Sequence, residues 1–154
     1  MDLTHPLFGP ITHLDILDDM EEGATEICAQ ISILPSLTHL SLDFHVPTDI
    51  LMTVLVNCPR LKLLLVLWPS WDQESYELAC IPRVCDVRFV MASFDDYWAE
   101  WEAGAMGLPN FWSRGDDFVA RKRRGEIEGT VLTFLFYLHV SLTPSIPVTC
   151  YWLN

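Results

Sequence analysis

The chain has 154 residues, 51% of them apolar and 19% charged, with a formal net charge of −12. Such a length supports one domain with a continuous core, and such a composition is not that of a disordered tail. Residues 1 to 113 carry 17 acids against four bases, a field that repels phosphates and excludes nucleic acid as the expected partner.

The first residues, MDLTHPLFGP, have neither a basic stretch nor an apolar run, so no secretory leader is expected. Cys28, Cys58, Cys80, Cys85 and Cys150 show no CxxC spacing. Reduced, mostly buried thiols in cytoplasm or nucleus are the simplest expectation.

The phrase ITHLDILD at residues 11 to 18 returns as LTHLSLDF at 37 to 44. Written as apolar–x–x–apolar–x–apolar, the pattern matches at Ile11/Leu14/Ile16, Leu37/Leu40/Leu42, Leu61/Leu64/Val66 and Val84/Val87/Phe89, spaced 26, 24 and 23 residues apart. Between the matches lie helical periodicities. Glu21 to Leu34 places apolar residues at helical spacing, Thr48 and Asp49 offer a cap to Ile50–Val56 before Pro59, and Asp72 to Cys80 gives a shorter third helix.

A unit of one strand and one helix cannot bury its own apolar face, so repeats of this period stack into a parallel sheet backed by helices. The expected fold is α/β: a short leucine-rich-repeat solenoid of about four units over residues 8–93. Leu14, Leu40, Leu64 and Val87 should form one core ladder, and Ile16, Leu42, Val66 and Phe89 the next. The first unit should leave its apolar edge at Ile11 and Leu14 uncovered, inviting self-association.

Outward strand positions form the candidate partner surface: His13 and Asp15, His39, Ser41 and Asp43, then Leu63, Leu65 and Leu67, with Arg88 on the fourth strand. His13 and His39 should sit on adjacent strands about 4.8 Å apart. Two exposed histidines without cysteine make a poor zinc site, so neither metal nor cofactor is expected. The three leucines demand cover, either a partner or another part of the chain, unless the strand is buried on both faces.

Residues 94–128 break the period. Asp95 and Asp96 can cap a helix bearing Tyr97, Trp98 and Trp101, with Gly104 as its stop. Asp116 can cap a second helix ending at Gly125, with Arg121, Lys122, Arg123 and Arg124 in its last turn as a solvated helix end, a nuclear-import signal or a lipid-facing patch. The aromatic residues Tyr97, Trp98, Trp101, Phe111 and Trp112 suit a helical cap on the open end of the repeats, or a ligand cage. No phosphate loop, HExxH or GxSxG is present, so no catalytic residues and no enzyme are expected.

ITHLDILDD, LPSLTHLSLDF, NCPRLKLLLVLW, DVRFVM, DYWAEWEAGA and FWSRGDDFVARKRRGEI together resemble the C-terminal part of a family of F-box/leucine-rich-repeat-like proteins expanded in mushroom-forming fungi. The resemblance spans about residues 8 to 128 and is most specific at WEAGA and FVARKRRGEI. It implies a protein-binding repeat domain that, where an F-box lies upstream, recruits a substrate to a cullin-type ubiquitin ligase. No F-box segment precedes the repeats here, so docking to the ligase core is expected only if one exists upstream.

The ending departs from the family too. Residues 129–154 contain no Asp, Glu, Lys or Arg. They read as an aberrant or artefactual tail, as an edge strand or helix on the repeats, or as a membrane anchor. Pro144 and Pro147 limit the clean apolar run to Val131–Leu142, too short to span a bilayer. The expected function is a non-catalytic protein–protein interaction module. The alternatives are a tail-anchored membrane protein with a cytosolic repeat domain and a truncated product with no activity of its own.

Overall fold

The computed structural model describes residues 2–17, 23–72, 84–128 and 133–134. The third expected helix (from residue 73 onward) and nearly all of the uncharged tail fall outside these residues.

Five strands form one sheet in the order β1-β2-β3-β4-β5, every neighbouring pair parallel. They are β1 (His13–Ile16), β2 (His39–Asp43), β3 (Leu63–Pro69), β4 (Phe89–Phe94) and the two-residue β5 (Thr133–Phe134). Strand order follows chain order, an α/β arrangement compatible with repeated strand–helix units. The first two crossovers hold α1 (Ala24–Ser32) and α2 (Thr48–Asn57), which pack side by side.

The helices form where apolar side chains recur on one stripe. Ala24, Cys28 and Ile31 bury one face of α1, and Ile50, Leu51, Val54 and Leu55 bury that of α2. Thr48 starts α2 but provides no side-chain cap, because Pro47 holds the N-cap position. Beneath both helices run the core ladders Leu14–Leu40–Leu64 and Ile16–Leu42–Val66, paired in register.

The fourth rung is shifted from expectation. Leu64 pairs with Phe89 and Val66 with Met91, so the repeat distance to β4 is two residues longer than the motif suggested. A turn accounts for the extra length. Phe89 N donates to Asp86 O, and the Arg88 guanidinium reaches Asp86, Leu55 O and Cys58 O. Anchoring Arg88 to the end of α2 delays the start of β4.

At the other end, the N-terminal residues fold over the first unit. Leu3 is 1% exposed within the core, its amide donating to Gln30 Oε1, and Phe8 packs against the same cluster. Ile11 and Leu14 are consequently half-buried rather than open.

The opposite sheet face carries Leu63, Leu65, Leu67, Val90 and Ala92, all buried. Two helices follow β4, α3 (Tyr97–Ala105) and α4 (Phe111–Arg123); α4 covers this face and α3 adds Tyr97 to it. Asp96 caps α3 as expected, accepting from Trp98 N and Ala99 N. The cap of α4 is a correction. Asn110, not Asp116, holds the N-cap in a reciprocal box with Ser113, and Asp116 stands well inside the helix.

Phe111, Phe118 and Val119 of α4 pack on the leucine row, and Gly115 permits the close approach. A Cβ there would lie 2.8 Å from Leu63 Cδ2 and 3.2 Å from Leu65 Cδ2. The aromatic segment therefore lies across a face of the sheet, not over its end, while β5 takes the edge beside β4. Gly125 ends α4 with φ 72°, a left-handed conformation suited to glycine.

Cys28 and Cys58 are free and buried, and burial raises both thiols above their ordinary pKa. Cys85, by contrast, is disulfide-bonded, so the expectation of five reduced thiols fails there. Among the described residues, no helix is long and apolar enough to cross a membrane.

Candidate functional site

Parallel pairing of β1 and β2 sets His13 directly beside His39. Their rings stack with centroids 4.1 Å apart and planes parallel. Trp112 of α4 stands edge-on to both, 5.3 Å from His13 and 6.1 Å from His39. Each imidazole Nδ1 contacts the preceding threonine hydroxyl, at 2.9 Å from Thr12 and 2.8 Å from Thr38. His39 Nε2 lies 3.1 and 3.2 Å from the two Asp116 oxygens, tying β2 to α4.

Burial lowers the pKa of His13, and the neighbouring His39 lowers it further against the opposing pull of Asp116. Parallel stacked rings aim their in-plane lone pairs along parallel lines. One ion about 2.1 Å from a ring nitrogen, in that ring's plane, therefore lies far out of the plane of the other ring. The pair is built for packing, not for shared ligation. Among the described residues no group of three or more His, Cys, Asp or Glu converges as an ion site.

Two residues further along, Asp15 pairs in register with Ser41. Tyr97 of α3 donates its hydroxyl to Asp15 Oδ2 at 2.6 Å, while Asp15 Oδ1 and the fully buried Ser41 hydroxyl form no well-oriented hydrogen bond. Burial raises the Asp15 pKa, with Tyr97 and Ser41 opposing and Asp43 adding to the rise. Burial likewise pushes the Tyr97 phenol far above its ordinary value, reinforced by Asp15. This strip holds polar groups at high local cost, but no nucleophile in it meets an accessible base.

The proposed surface residues thus divide. His13, Asp15, His39, Ser41, Leu63, Leu65 and Leu67 do share one face, as alternation requires. His13 stays exposed and Asp15 half-buried, but for the others an open partner surface needs correction: His39 is 7% exposed, and Ser41 and the leucines 1% or less, because α4, with Tyr97 of α3, covers this face. Asp43 is half-buried and caps the amide of Phe44. Arg88 does not belong to this face at all. Its neighbour Asp86 loses solvation on burial, yet the Arg88 hydrogen bonds and charge outweigh that and hold the carboxyl below its usual range.

The basic run is divided as well. Lys122 is 5% exposed and donates to Phe89 O at 3.0 Å, its ammonium 5.2 Å from the Phe118 ring centre. Burial drives its pKa down to about 8, with Asp86 opposing. Arg121 and Arg124 pair with Glu126, leaving a solvated helix end in which only Lys122 turns inward.

What α3 and α4 expose in place of the sheet is aromatic. No residue of α3 is buried, and Trp98, Trp101, Met106 and Leu108 are 69, 55, 69 and 55% exposed. Between the end of α3 and the start of α4 lies a groove of about 570 Å³, lined by His13, Trp101, Leu108, Asn110, Trp112 and Asp116 among others. Gly104 lies inside α3 instead of stopping it, and Gly107, with φ 73°, makes the left-handed turn; a Cβ at Gly104 would collide with the Asn110 side-chain amide. Sequence reasoning singled out Trp101 and Trp112 as part of an aromatic cluster but gave Asp116 a capping role. The usable signal was the Asn110–Ser113 pair, which starts the helix earlier and turns Asp116 toward β2.

No protein-family model matches the chain, and neither a curated protein nor a solved structure matches it.

Proposed function

We propose that the chain is a non-catalytic protein–protein interaction module, a short solenoid of leucine-rich-repeat type whose docking surface is the exposed side of α3 and the groove beside it. The observation that carries the reading is α3 itself. A surface helix that shows two tryptophans to water, followed directly by Met106 and Leu108, is an apolar patch of the kind that marks association. Tryptophan is also the residue most often found at the energetic centre of interfaces.

The repeat-like arrangement supports the same class of function, since stacked strand–helix units serve chiefly as scaffolds for binding surfaces. Within this reading, the resemblance to F-box/leucine-rich-repeat-like proteins of mushroom-forming fungi makes the substrate-recognition part of a ubiquitin-ligase adaptor the leading role, wherever an F-box is joined upstream. In that role the partner is a protein to be ubiquitinated.

Affinity capture with quantitative mass spectrometry tests the proposal, using the intact chain and a Trp98→Ala/Trp101→Ala variant of matched thermal stability. Specific proteins should be retained by the wild type and by Val56→Ala, on the far side of the sheet, and lost from the double variant. Equal recovery by all three chains would remove α3 as the docking element, and no specific recovery at all would remove the function.

A further inference from the structure

We propose that the groove between α3 and α4 receives an arginine side chain of a basic peptide segment, its guanidinium lying against Trp101 and Trp112 and pairing with Asp116. This inference rests on the interaction reading above and narrows the partner's chemistry.

Three features of the groove agree on a cation. Among its lining residues the one carboxylate is Asp116, and no lysine or arginine is present. The Asp116 side chain is 51% exposed although it contacts His39, so its oxygens keep lone pairs free for a second donor. Nearby, the basic Arg114 is already committed to Glu100.

The indole faces supply the second attraction. A guanidinium within about 6 Å of a tryptophan ring gains cation–π and stacking energy, and arginine does this better than lysine because its head is planar. The third feature is the end of α3. Its last turn carries no basic side chain, so no fixed cation of its own competes for the groove, while the Gly107 and Leu108 amides already cap the Gly104 and Ala103 carbonyls. The facing start of α4 is poorly suited to an anion, since its capping box already occupies the Ser113 amide. The net charge of −12 draws basic segments toward the molecule as a whole, but that field alone would not select this groove.

The test is a ¹H–¹⁵N titration of the full chain with acetyl-Gly-Gly-Arg-Gly-Gly-amide and with its Lys, Leu and Glu counterparts, at physiological salt. The arginine peptide should shift the indole N–H signals of Trp101 and Trp112 while leaving exposed Trp71 unmoved. Lysine should bind more weakly, and leucine and glutamate not at all. Trp101→Ala, at an exposed position, should weaken arginine binding about three- to thirty-fold. Asp116→Asn should weaken it too, with the His13 signals confirming that the stacked pair persists.

Equal shifts with the leucine peptide would overturn the proposal in favour of an apolar site. Shifts spread over Trp71 as well, unaffected by Trp101→Ala, would overturn it in favour of diffuse charge attraction. If no peptide binds while the intact chain still captures partners through Trp98 and Trp101, the arginine site is refuted and the interaction module stands.

Discussion

Lys122 gives the most quantitative handle on how the last helix is held. Its ammonium is buried under α4, and burial lowers its pKa from 10.5 to about 8. The folded chain therefore releases this proton more readily than the unfolded chain. Between those two values the unfolded state binds more protons, so stability must rise with pH across the window and level off above it. Linkage for one such group gives a gain of about 2 kcal/mol between pH 7 and pH 10. Other groups titrate over the same range, among them Cys28, Cys58 and Tyr97, whose raised pKa values act in the opposite direction. A difference measurement cancels them. Lys122→Met keeps the length of the side chain and removes the titration. Urea unfolding followed by tryptophan fluorescence at half-unit pH steps should show the wild type gaining about 2 kcal/mol on the variant from pH 7 to pH 10. A gap that stays constant with pH would mean that the amine is hydrated in the folded state, and that α4 does not seal the sheet as described.

Three further predictions bear on the same packing. Gly115→Ala, which in an ordinary helix interior would stabilise by up to about 1 kcal/mol, should here cost about 1–2 kcal/mol by pressing on Leu63 and Leu65, read as a lower urea midpoint. Asp96→Ala should cost about 1 kcal/mol through loss of the α3 cap, and Asp96→Asn should restore most of it. Asp15 has its pKa raised on folding, so the stability it contributes is complete below its ordinary value of 3.8 and is lost as pH climbs through the folded value. Asp15→Asn keeps an acceptor for Tyr97 without the buried charge and should therefore be more stable than wild type at pH 7 in thermal melts, with the advantage disappearing near pH 3.

Much of the sheet was legible in the sequence because period and burial carry it. The His13–His39 pairing and the Leu14–Leu40–Leu64 ladder follow from a phrase repeated at near-constant spacing, since parallel strands in register must align equivalent residues. The fourth rung was misplaced because its signal is a long-range contact. Nothing local in DVRF says that Arg88 will reach back to Leu55 O and Cys58 O and hold the chain in a turn. The candidate site was only half legible. Three leucines facing outward on β3 announced that something must cover them. What covers them depended on α4 beginning at Phe111, and the acidic pair at Asp116 offered a competing cap. Once Asn110 takes the cap, Gly115 falls against β3 and Asp116 against His39. The inward turn of Lys122 within a basic run had no local signal either, because adjacent helical residues diverge by about 100° and only packing decides which of them points inward.

The central claim is that the chain covers its own sheet face and presents α3 and α4 in its place. Solvent paramagnetic relaxation of methyl signals tests this most directly, using a soluble gadolinium chelate on protein with labelled leucine methyls. The account predicts that Leu63, Leu65 and Leu67, each 1% exposed or less, stay sharp, while Leu108, 55% exposed, broadens strongly. Broadening of the three β3 leucines to the same extent as Leu108 would contradict it, leaving an open sheet face and returning the docking surface to the strands.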